Sequence, residues 1–217
     1  MSLRVAVIAG RLILAAAALA GVITQLVISA GLRFDLVSFF SYFTILSNLF
    51  GSVVFIVGAV RLIRRVPPTR ADDAIRGASV VYLAFVGIVF GALLQDVDLG
   101  ALQPWINAVH HMIMPAAVVL DWIVWPPLSR LWVRAALAWM IFPAAYVIYS
   151  LVRGAATGFY AYPFFNPDAN GGYGGVALYC VALIVVFVVL AFAVRWLGNL
   201  GQRRIAREHP ATPRTAR

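Results

Sequence analysis

Hydroxyl and amide side chains interrupt an otherwise apolar run of the chain at Ser41, Thr44, Ser47 and Asn48. On a helix, Ser41, Thr44 and Asn48 have the spacing i, i+3, i+7, so we expect them on one stripe, with Ser47 a step to the side. Polar side chains are costly inside a segment that crosses a membrane. The stripe is therefore a candidate functional site.

A second polar stretch, Asn107, His110 and His111, lies on a later predicted helix. Asn107 and His111 are one turn apart and share a helix face. Both stretches are expected near the outer ends of helices that run in the same direction, at depths that agree to within about one turn. We therefore expect the two stripes to face each other, with hydroxyl groups beside imidazole rings.

A threonine or serine hydroxyl beside an imidazole is the pair that nucleophilic acyl transfer requires, because the base removes the proton as the oxygen attacks. The amide of Asn48 or Asn107 is a candidate donor to the oxyanion that develops. The expected depth places the scissile bond near the glycerol and carbonyl layer of a bilayer. The pattern thus predicts an enzyme that cleaves a lipid ester.

Ordinary structural roles compete with this interpretation. A threonine in a membrane helix often hydrogen-bonds to the carbonyl group of the preceding turn, and a neutral histidine can join two helices. Asp121 lies about 15 Å deeper than His111 on the same predicted helix. A proton or ion pathway through Asp121 and His111 stays open, as does an ion pair of Asp121 with Arg130 or Arg134.

The histidines and the cysteine do not fit a metal or haem site. Zinc catalysis needs three ligands from the protein, and a haem bundle usually places its axial histidines on separate helices. His110 and His111 are adjacent on one helix, whereas His209 lies in the C-terminal tail. Cys180 is the single cysteine, so no intrachain disulfide can form. We expect neither a metal nor another cofactor.

The composition is that of a membrane protein. The 217 residues are 63% hydrophobic and 12% charged, with a mean hydropathy of +0.93, whereas an average soluble domain has about 25% charged residues. Apolar runs long enough to span a bilayer lie at about 12–32, 36–60, 77–95, 105–126, 131–152 and 174–197. The sequence predicts an all-α bundle of six transmembrane helices, forming a single domain over 1–200, and a basic disordered tail over 201–217.

The basic residues predict the orientation of this bundle. The net charge of +9 comes from 17 arginines against 8 acids. All the arginines except Arg33 and Arg153 fall on the side that holds both termini, and the positive-inside rule places that side in the cytoplasm. We therefore expect a multi-pass protein of a bacterial inner membrane, with lipid rather than nucleic acid as its partner.

Two further features favour an enclosed site at the outer side. Pro143 should kink the fifth helix, and such kinks often open a cavity in a bundle. The connection from Tyr160 to Tyr173 is rich in aromatic residues. Such side chains favour the outer ends of the helices or the headgroup layer, so we expect this connection to form a lid.

Motifs at these positions resemble a known family. They are FFSYFTILSNL at 39–49, HMIMP at 111–115, LDW at 120–122 and YPF at 162–164. In this order the chain resembles the androgen-induced membrane proteins of eukaryotes and their prokaryotic six-span relatives, over essentially all six predicted helices. The resemblance implies hydrolysis of fatty-acid esters of hydroxy fatty acids by an intramembrane threonine and a histidine, roles that it carries to Thr44 and His111.

The eukaryotic motif has one more residue between histidine and proline, so His110 competes for the role of base. We favour His111 because it keeps its spacing from residues 105–107. The first hypothesis is a lipid-ester hydrolase in which Thr44 and His111 are catalytic. The supporting or substrate-binding residues are then Ser41, Asn48, Asn107, His110 and Tyr162. The second is a non-enzymatic membrane protein that binds or transports a lipid or another small amphiphile.

Overall fold

The fold is a bundle of six long helices. The computed structural model describes residues 2–97 and 100–208, and six of the helices in this part are long and apolar enough to span a membrane. They are α1 (Leu3–Gly31), α2 (Phe43–Arg64), α3 (Arg70–Leu94), α4 (Pro104–Val124), α5 (Val133–Thr157) and α6 (Tyr173–Arg207). The prediction of an all-α protein with six transmembrane helices is confirmed.

The second helix starts later than predicted, which separates Ser41 from Thr44. The chain first forms a short helix, Leu36–Phe39, because the carboxylate of Asp35 accepts a hydrogen bond from the Ser38 N–H at 2.8 Å and caps it. The chain then turns, and α2 begins only at Phe43. Ser41 therefore lies outside the helix that carries Thr44, and the expected stripe of Ser41, Thr44 and Asn48 was wrong in this position.

The other helices differ from the predicted spans mainly in length. Helix α1 begins at Leu3, whereas we predicted a start near residue 12. Helix α3 begins at Arg70 because Thr69 and Asp72 form a reciprocal capping box. The last helix continues to Glu208, so residues 201–208, which we predicted to be disordered, are helical. The rest of the predicted tail, including His209, lies outside the described residues.

Three of the helices contain a break. Helix α3 ends in a π-helical turn at Phe90–Leu94, and α4 contains another at Val109–Ile113. Helix α5 has a turn at Met140, three residues before the proline that was predicted to kink it. A proline cannot donate to the carbonyl group of the residue four positions earlier, and for Pro143 that residue is Trp139. The Tyr82 hydroxyl donates to the freed Trp139 carbonyl group at 3.0 Å.

Helix α3 is the centre of the bundle. It packs against α2, α4 and α6, and its side chains are the most buried of any spanning helix. Helix α1 packs along α2, with Ala15 and Ala18 almost fully buried between the helices. This agrees with the role in close packing that small residues have in membranes, where van der Waals contact holds helices together.

The two ends of the bundle have different contents. We call the end that holds connections 32–42, 95–103 and 158–172 the loop end. The opposite end holds connections 65–69 and 125–132. It also holds the start of α1 and the end of α6, because the number of spanning helices is even. We call it the arginine end. Thr44 and His111 lie at the loop end, whereas Asp121 lies at the arginine end.

Candidate active site

Thr44 lies in the first turn of α2 and is buried. Its Oγ1 is 3.3 Å from His111 Nε2 and 3.2 Å from the Tyr162 hydroxyl oxygen. The hydroxyl group thus contacts two side chains from distant parts of the sequence. The alternative role, a bond to the carbonyl group of the preceding turn, does not describe this arrangement, because α2 begins only one residue before Thr44.

The His111 ring is held in one tautomer by its neighbour Asn107. The distance from His111 Nδ1 to Asn107 Oδ1 is 2.7 Å. An amide oxygen only accepts hydrogen bonds, so Nδ1 carries the proton of the neutral ring and Nε2 has a free lone pair. That lone pair faces Thr44, whose hydroxyl group then donates to it. The three side chains are hydrogen-bonded in sequence, from amide to imidazole to hydroxyl, as in nucleophilic triads.

Two helix breaks meet at this imidazole. His111 lies in the π-helical turn of α4, and Phe90 begins the π-helical turn of α3. Their rings are stacked, with centroids 4.3 Å apart and planes at 17°. Single π-helical turns occur frequently at functional sites. Here the stacked Phe90 ring fixes one face of the imidazole while Asn107 fixes its edge.

Tyr162 reaches Thr44 from the 158–172 connection. Its hydroxyl oxygen accepts the Thr44 backbone N–H at 3.2 Å and lies at the same distance from Thr44 Oγ1. The phenol oxygen thus accepts from the backbone N–H, and the phenol O–H is free to donate to Thr44 Oγ1. Burial raises the pKa of Tyr162 to about 12, so the phenol stays protonated and remains a donor at neutral pH.

Aromatic packing holds Tyr162 in this position. Its ring stacks on Phe164 with centroids 5.1 Å apart and planes at 8°, and meets Tyr42 edge-on at 5.8 Å. Phe164 and Phe165 form a 3₁₀ turn with Pro163 and are buried. The connection that we predicted as a lid therefore packs into the loop end of the bundle.

Thr44 lies between two cavities. The first, the apolar cavity, has a volume of about 360 Å³ and lies among α3, α5, α6 and Tyr162. The second, the polar cavity, has a volume of about 730 Å³ and lies among α1, the start of α4 and the loop-end connections. Thr44, Tyr162 and Leu94 line both. His111 lines the polar cavity only.

The remaining predicted site residues have structural contacts. Asn48 Nδ2 donates to the Thr44 carbonyl group at 2.9 Å and to the His110 carbonyl group at 3.3 Å, so it ties α2 to α4. His110 Nε2 lies 3.0 Å from the Ala18 carbonyl oxygen on α1 and makes no contact with Thr44. Ser41 is bonded to Val37 and Tyr149. Asn107, which with Asn48 was one of two candidate oxyanion donors, has its amide oxygen on the His111 ring.

Asp121 belongs to a separate cluster at the arginine end. Both of its carboxylate oxygens accept from Arg11, at 2.7 and 2.9 Å, and Arg76 lies 3.3 Å away. The alternative of an ion pair with Arg130 or Arg134, left open by the sequence, is therefore wrong in its partners. The sequence assigned Arg11 and Arg76 to the cytoplasmic ends, where arginines are expected in solvent, so these two partners were missed.

No protein-family model, no curated protein and no solved structure matches this chain. The resemblance to the androgen-induced membrane proteins stays a prediction from the sequence motifs.

Proposed function

We propose that this protein is an intramembrane hydrolase of lipid esters, with Thr44 as nucleophile and His111 as general base and then general acid. The observation that carries the proposal is the chain of hydrogen bonds from Asn107 through His111 to Thr44, which lies beside two cavities. A neutral imidazole with its lone pair toward a hydroxyl group is the arrangement that activates a weak oxygen nucleophile.

The first half of the reaction transfers the acyl group to the protein. Thr44 Oγ1 attacks the ester carbonyl carbon while His111 Nε2 takes the hydroxyl proton. The tetrahedral intermediate collapses, the bond to the alcohol oxygen breaks, and the imidazolium gives its proton to that oxygen. The alcohol leaves, and the acyl group remains on Thr44 as an ester.

The second half releases the acid. Water from the polar cavity gives a proton to His111 Nε2 and attacks the acyl carbon. The Thr44 oxygen leaves and regains the proton from the imidazolium, which restores the starting state and frees a carboxylic acid. Each transfer uses only the neutral and protonated forms of one ring.

Two groups near Thr44 are suited to stabilise the oxyanion. The Tyr162 hydroxyl group is a protonated donor 3.2 Å from Thr44 Oγ1. Thr44 also lies in the first turn of α2, where backbone N–H groups have no partner within the helix and the helix dipole is positive. Donors of this kind stabilise a developing negative charge in a site that excludes water.

The arginine distribution supports an orientation in which this chemistry lies at the outer side of the membrane. In the proposed orientation, the arginine end lies in the cytoplasm of a bacterium and the loop end lies at the periplasmic surface of the inner membrane. The site is then in the outer leaflet, near the depth of lipid ester groups. Labelling of single engineered cysteines in each connection by an impermeant reagent on whole cells tests this orientation.

Substitution of Thr44 tests the activity. Thr44→Ala should abolish turnover of a long-chain ester and labelling by a fluorophosphonate, because both reactions need the Oγ1 nucleophile. Thr44→Ser keeps the oxygen and should retain part of both. Ser47→Ala is the matched control, since Ser47 is buried on the same helix and its hydroxyl group has no partner among the described residues. Undiminished labelling of Thr44→Ala would remove Thr44 from the mechanism.

The apolar cavity also suits a second function, namely a protein that binds or carries a lipid without cleaving it. In that case the wild type binds a long-chain ester and returns it intact, and Thr44→Ala binds it equally well. Mass spectrometry of the lipid recovered after incubation distinguishes the two functions.

A further inference from the structure

We infer that the two cavities at Thr44 hold opposite sides of the ester, so that the substrate joins one long acyl chain to a neutral alcohol that bears free hydroxyl groups. This inference rests on the proposed function and assigns a substrate class to it. An ester of that class places its carbonyl group at Thr44, its acyl chain in the apolar cavity and its alcohol in the polar cavity.

The apolar cavity matches a methylene chain. Its walls are aliphatic and aromatic side chains of α3, α5 and α6, including Val89, Val147, Leu183 and Phe187, and Thr44 and Tyr162 are at one limit of it. A chain of methylene groups is the ligand that such walls stabilise, because its burial leaves no polar group unpaired. A cavity of this size is within the range of small-molecule pockets.

This cavity is reached from the lipid. Ile148 of α5 and Ile184 of α6 both line it, and 64% and 53% of their surfaces are exposed on the outside of the bundle. Helices α5 and α6 approach each other most closely through Val133–Trp139, at the arginine end. Nearer the loop end the two helices leave a side opening, through which an acyl chain enters without leaving the hydrophobic layer.

The described lining of the polar cavity has hydrogen-bonding groups and no charged residue. Gln25, His110 and Asn166 line it, and none of its described lining residues is an arginine, an aspartate or a glutamate. Gln25 Oε1 is buried without a hydrogen-bond partner among the described residues. An unsatisfied buried acceptor favours a ligand that donates, such as an alcohol hydroxyl group.

The absence of a cation in this described lining argues against anionic alcohols. A phosphate or a carboxylate placed there would lose its hydration without gaining a positive partner, which is unfavourable for a buried charge. An apolar alcohol would leave Gln25 Oε1 unpaired. The acyl ester of a small polyol such as glycerol avoids both costs, because its free hydroxyl groups donate to the cavity wall.

Competition between matched esters tests the alcohol side. With one acyl chain in common, the wild type in nanodiscs is offered a glycerol monoester, a simple alkyl ester and the ester of a hydroxy fatty acid with its free carboxylate. We expect kcat/KM for the glycerol ester to exceed that for the other two by about tenfold or more. Gln25→Leu should reduce the preference over the alkyl ester. Equal rates, or a faster anionic ester, would overturn the assignment of the alcohol.

Filling the apolar cavity tests the acyl side. Leu183→Trp inserts a larger ring into the cavity, whereas Val185→Trp adds the same ring to the exposed face of α6 two residues away. Leu183→Trp should lower kcat/KM for long acyl chains by about tenfold while sparing short ones, and Val185→Trp should have no such effect. Identical chain-length profiles for the two variants would remove the acyl chain from this cavity.

A binding measurement separates this inference from the proposed function. Thr44→Ala is exposed to a glycerol monoether with a diazirine near the end of its alkyl chain, an analogue that cannot be hydrolysed. Crosslinks should map to the α5 and α6 residues of the cavity and be lost with Leu183→Trp but kept with Val185→Trp. Crosslinks spread over the lipid-facing surface would overturn the inference. Crosslinks in the cavity of a protein that cleaves no ester would instead uphold the site and overturn the hydrolase.

Discussion

The loop end and the arginine end each bury a network of polar side chains, but the two networks differ in charge and in surroundings. The loop-end network is a neutral chain of hydrogen bonds that joins Asn107, His111 and Thr44. It borders open cavities. At the arginine end, Arg11 and Arg76 both contact Asp121. Neither cavity extends to the arginine end.

The arginine-end network is held by contacts on several sides. Arg11 lies against Gly58 of α2, where a side chain would collide with its guanidinium group. Arg76 stacks over the Trp122 ring at 5.0 Å, and Asp73 accepts the Ser129 backbone N–H at 2.8 Å. Charges removed from water must be paired to be tolerated. This cluster therefore fastens α1, α3 and α4 together with connection 125–132.

The comparison teaches what distinguishes a candidate site from a structural polar cluster. Both contain groups that are expensive in a membrane. In the arginine-end network each charge is matched by an opposite charge within 4.0 Å. At the loop end the imidazole and the hydroxyl group border space that a ligand can occupy. The arginine-end network should govern stability, and the loop-end network should govern activity.

After replacement of Thr44 itself, removal of the imidazole should have the largest effect on activity. His111→Ala deletes the proposed general base, so kcat for a long-chain ester should fall by about 10³-fold. The melting temperature in detergent should change little, because Thr44 keeps its contact with Tyr162. Enzyme assay and thermal unfolding of the same preparation measure both quantities.

His110→Ala is the comparison variant for this prediction. His110 is buried and lies 3.0 Å from the Ala18 carbonyl oxygen, so its loss should lower stability more than activity. If His110→Ala and His111→Ala lost activity equally at equal stability, the assignment of His111 as the base would be wrong.

Asp121→Ala should have the largest effect on stability. It leaves Arg11 without a carboxylate and Arg76 with only Asp73, 4.0 Å away. This should lower the free energy of unfolding by about 3–5 kcal/mol. The fraction that remains folded should still turn over ester at close to the wild-type rate, because the cluster does not reach Thr44. Titration with sodium dodecyl sulfate in mixed micelles measures the stability.

Asp168→Ala is the control for Asp121→Ala, since Asp168 is an exposed acid at the loop end. Its replacement should leave the free energy of unfolding unchanged within about 0.5 kcal/mol. Equal destabilisation by the two variants would show that the buried cluster has no special role.

The sequence was sufficient to predict the six helices and the contact between the two polar stretches. Long apolar runs specify spanning helices through their length and hydrophobicity alone, and all six are present. The stripes that hold Thr44 and His111 were expected at depths within about one turn of each other, on helices that run in the same direction. The two side chains are in contact. Depth and direction follow from counting residues, so both were accessible without coordinates.

Rotation and local breaks were not accessible in this way. The π-helical turns that bring Phe90 onto His111 have no clear sequence signal, and the late start of α2 depends on the cap at Asp35. The pairing of Arg11 with Asp121 depends on how α1 and α4 are rotated about their axes. Arginines near helix ends are expected to reach water or lipid headgroups, which concealed the buried pair.

Asn107→Ala should have an intermediate effect on activity. Without the amide oxygen, nothing fixes the proton on His111 Nδ1, and the tautomer with a lone pair toward Thr44 is less populated. We expect kcat to fall by about 10- to 100-fold with KM nearly unchanged, by analogy with other residues that orient a catalytic ring. Asn107→Asp restores an acceptor and should recover part of the loss.

If Asn107→Ala raised KM with kcat unchanged, Asn107 would be a substrate-binding residue. The matched variant on the structural side is Asn48→Ala, which removes the contacts of Asn48 with the Thr44 and His110 carbonyl groups. It should lower the melting temperature more than Asn107→Ala does.

The smallest expected effect is on the pH dependence of stability, and it comes from the hydroxyl group of Tyr162 at the loop end. Its folded-state pKa is raised to about 12 by burial, whereas an unfolded tyrosine has a pKa of about 10. The neutral phenol therefore contributes stability that is fully present below pH 10 and is lost as the pH rises toward 12. Near pH 11 the loss should be about 1 kcal/mol. The melting temperature of the wild type should thus fall more steeply between pH 9 and 11 than that of Tyr162→Phe, whose phenyl ring has no proton to lose. Parallel curves would mean that burial does not raise the pKa of Tyr162, and so that its hydroxyl group is solvated and not enclosed beside Thr44.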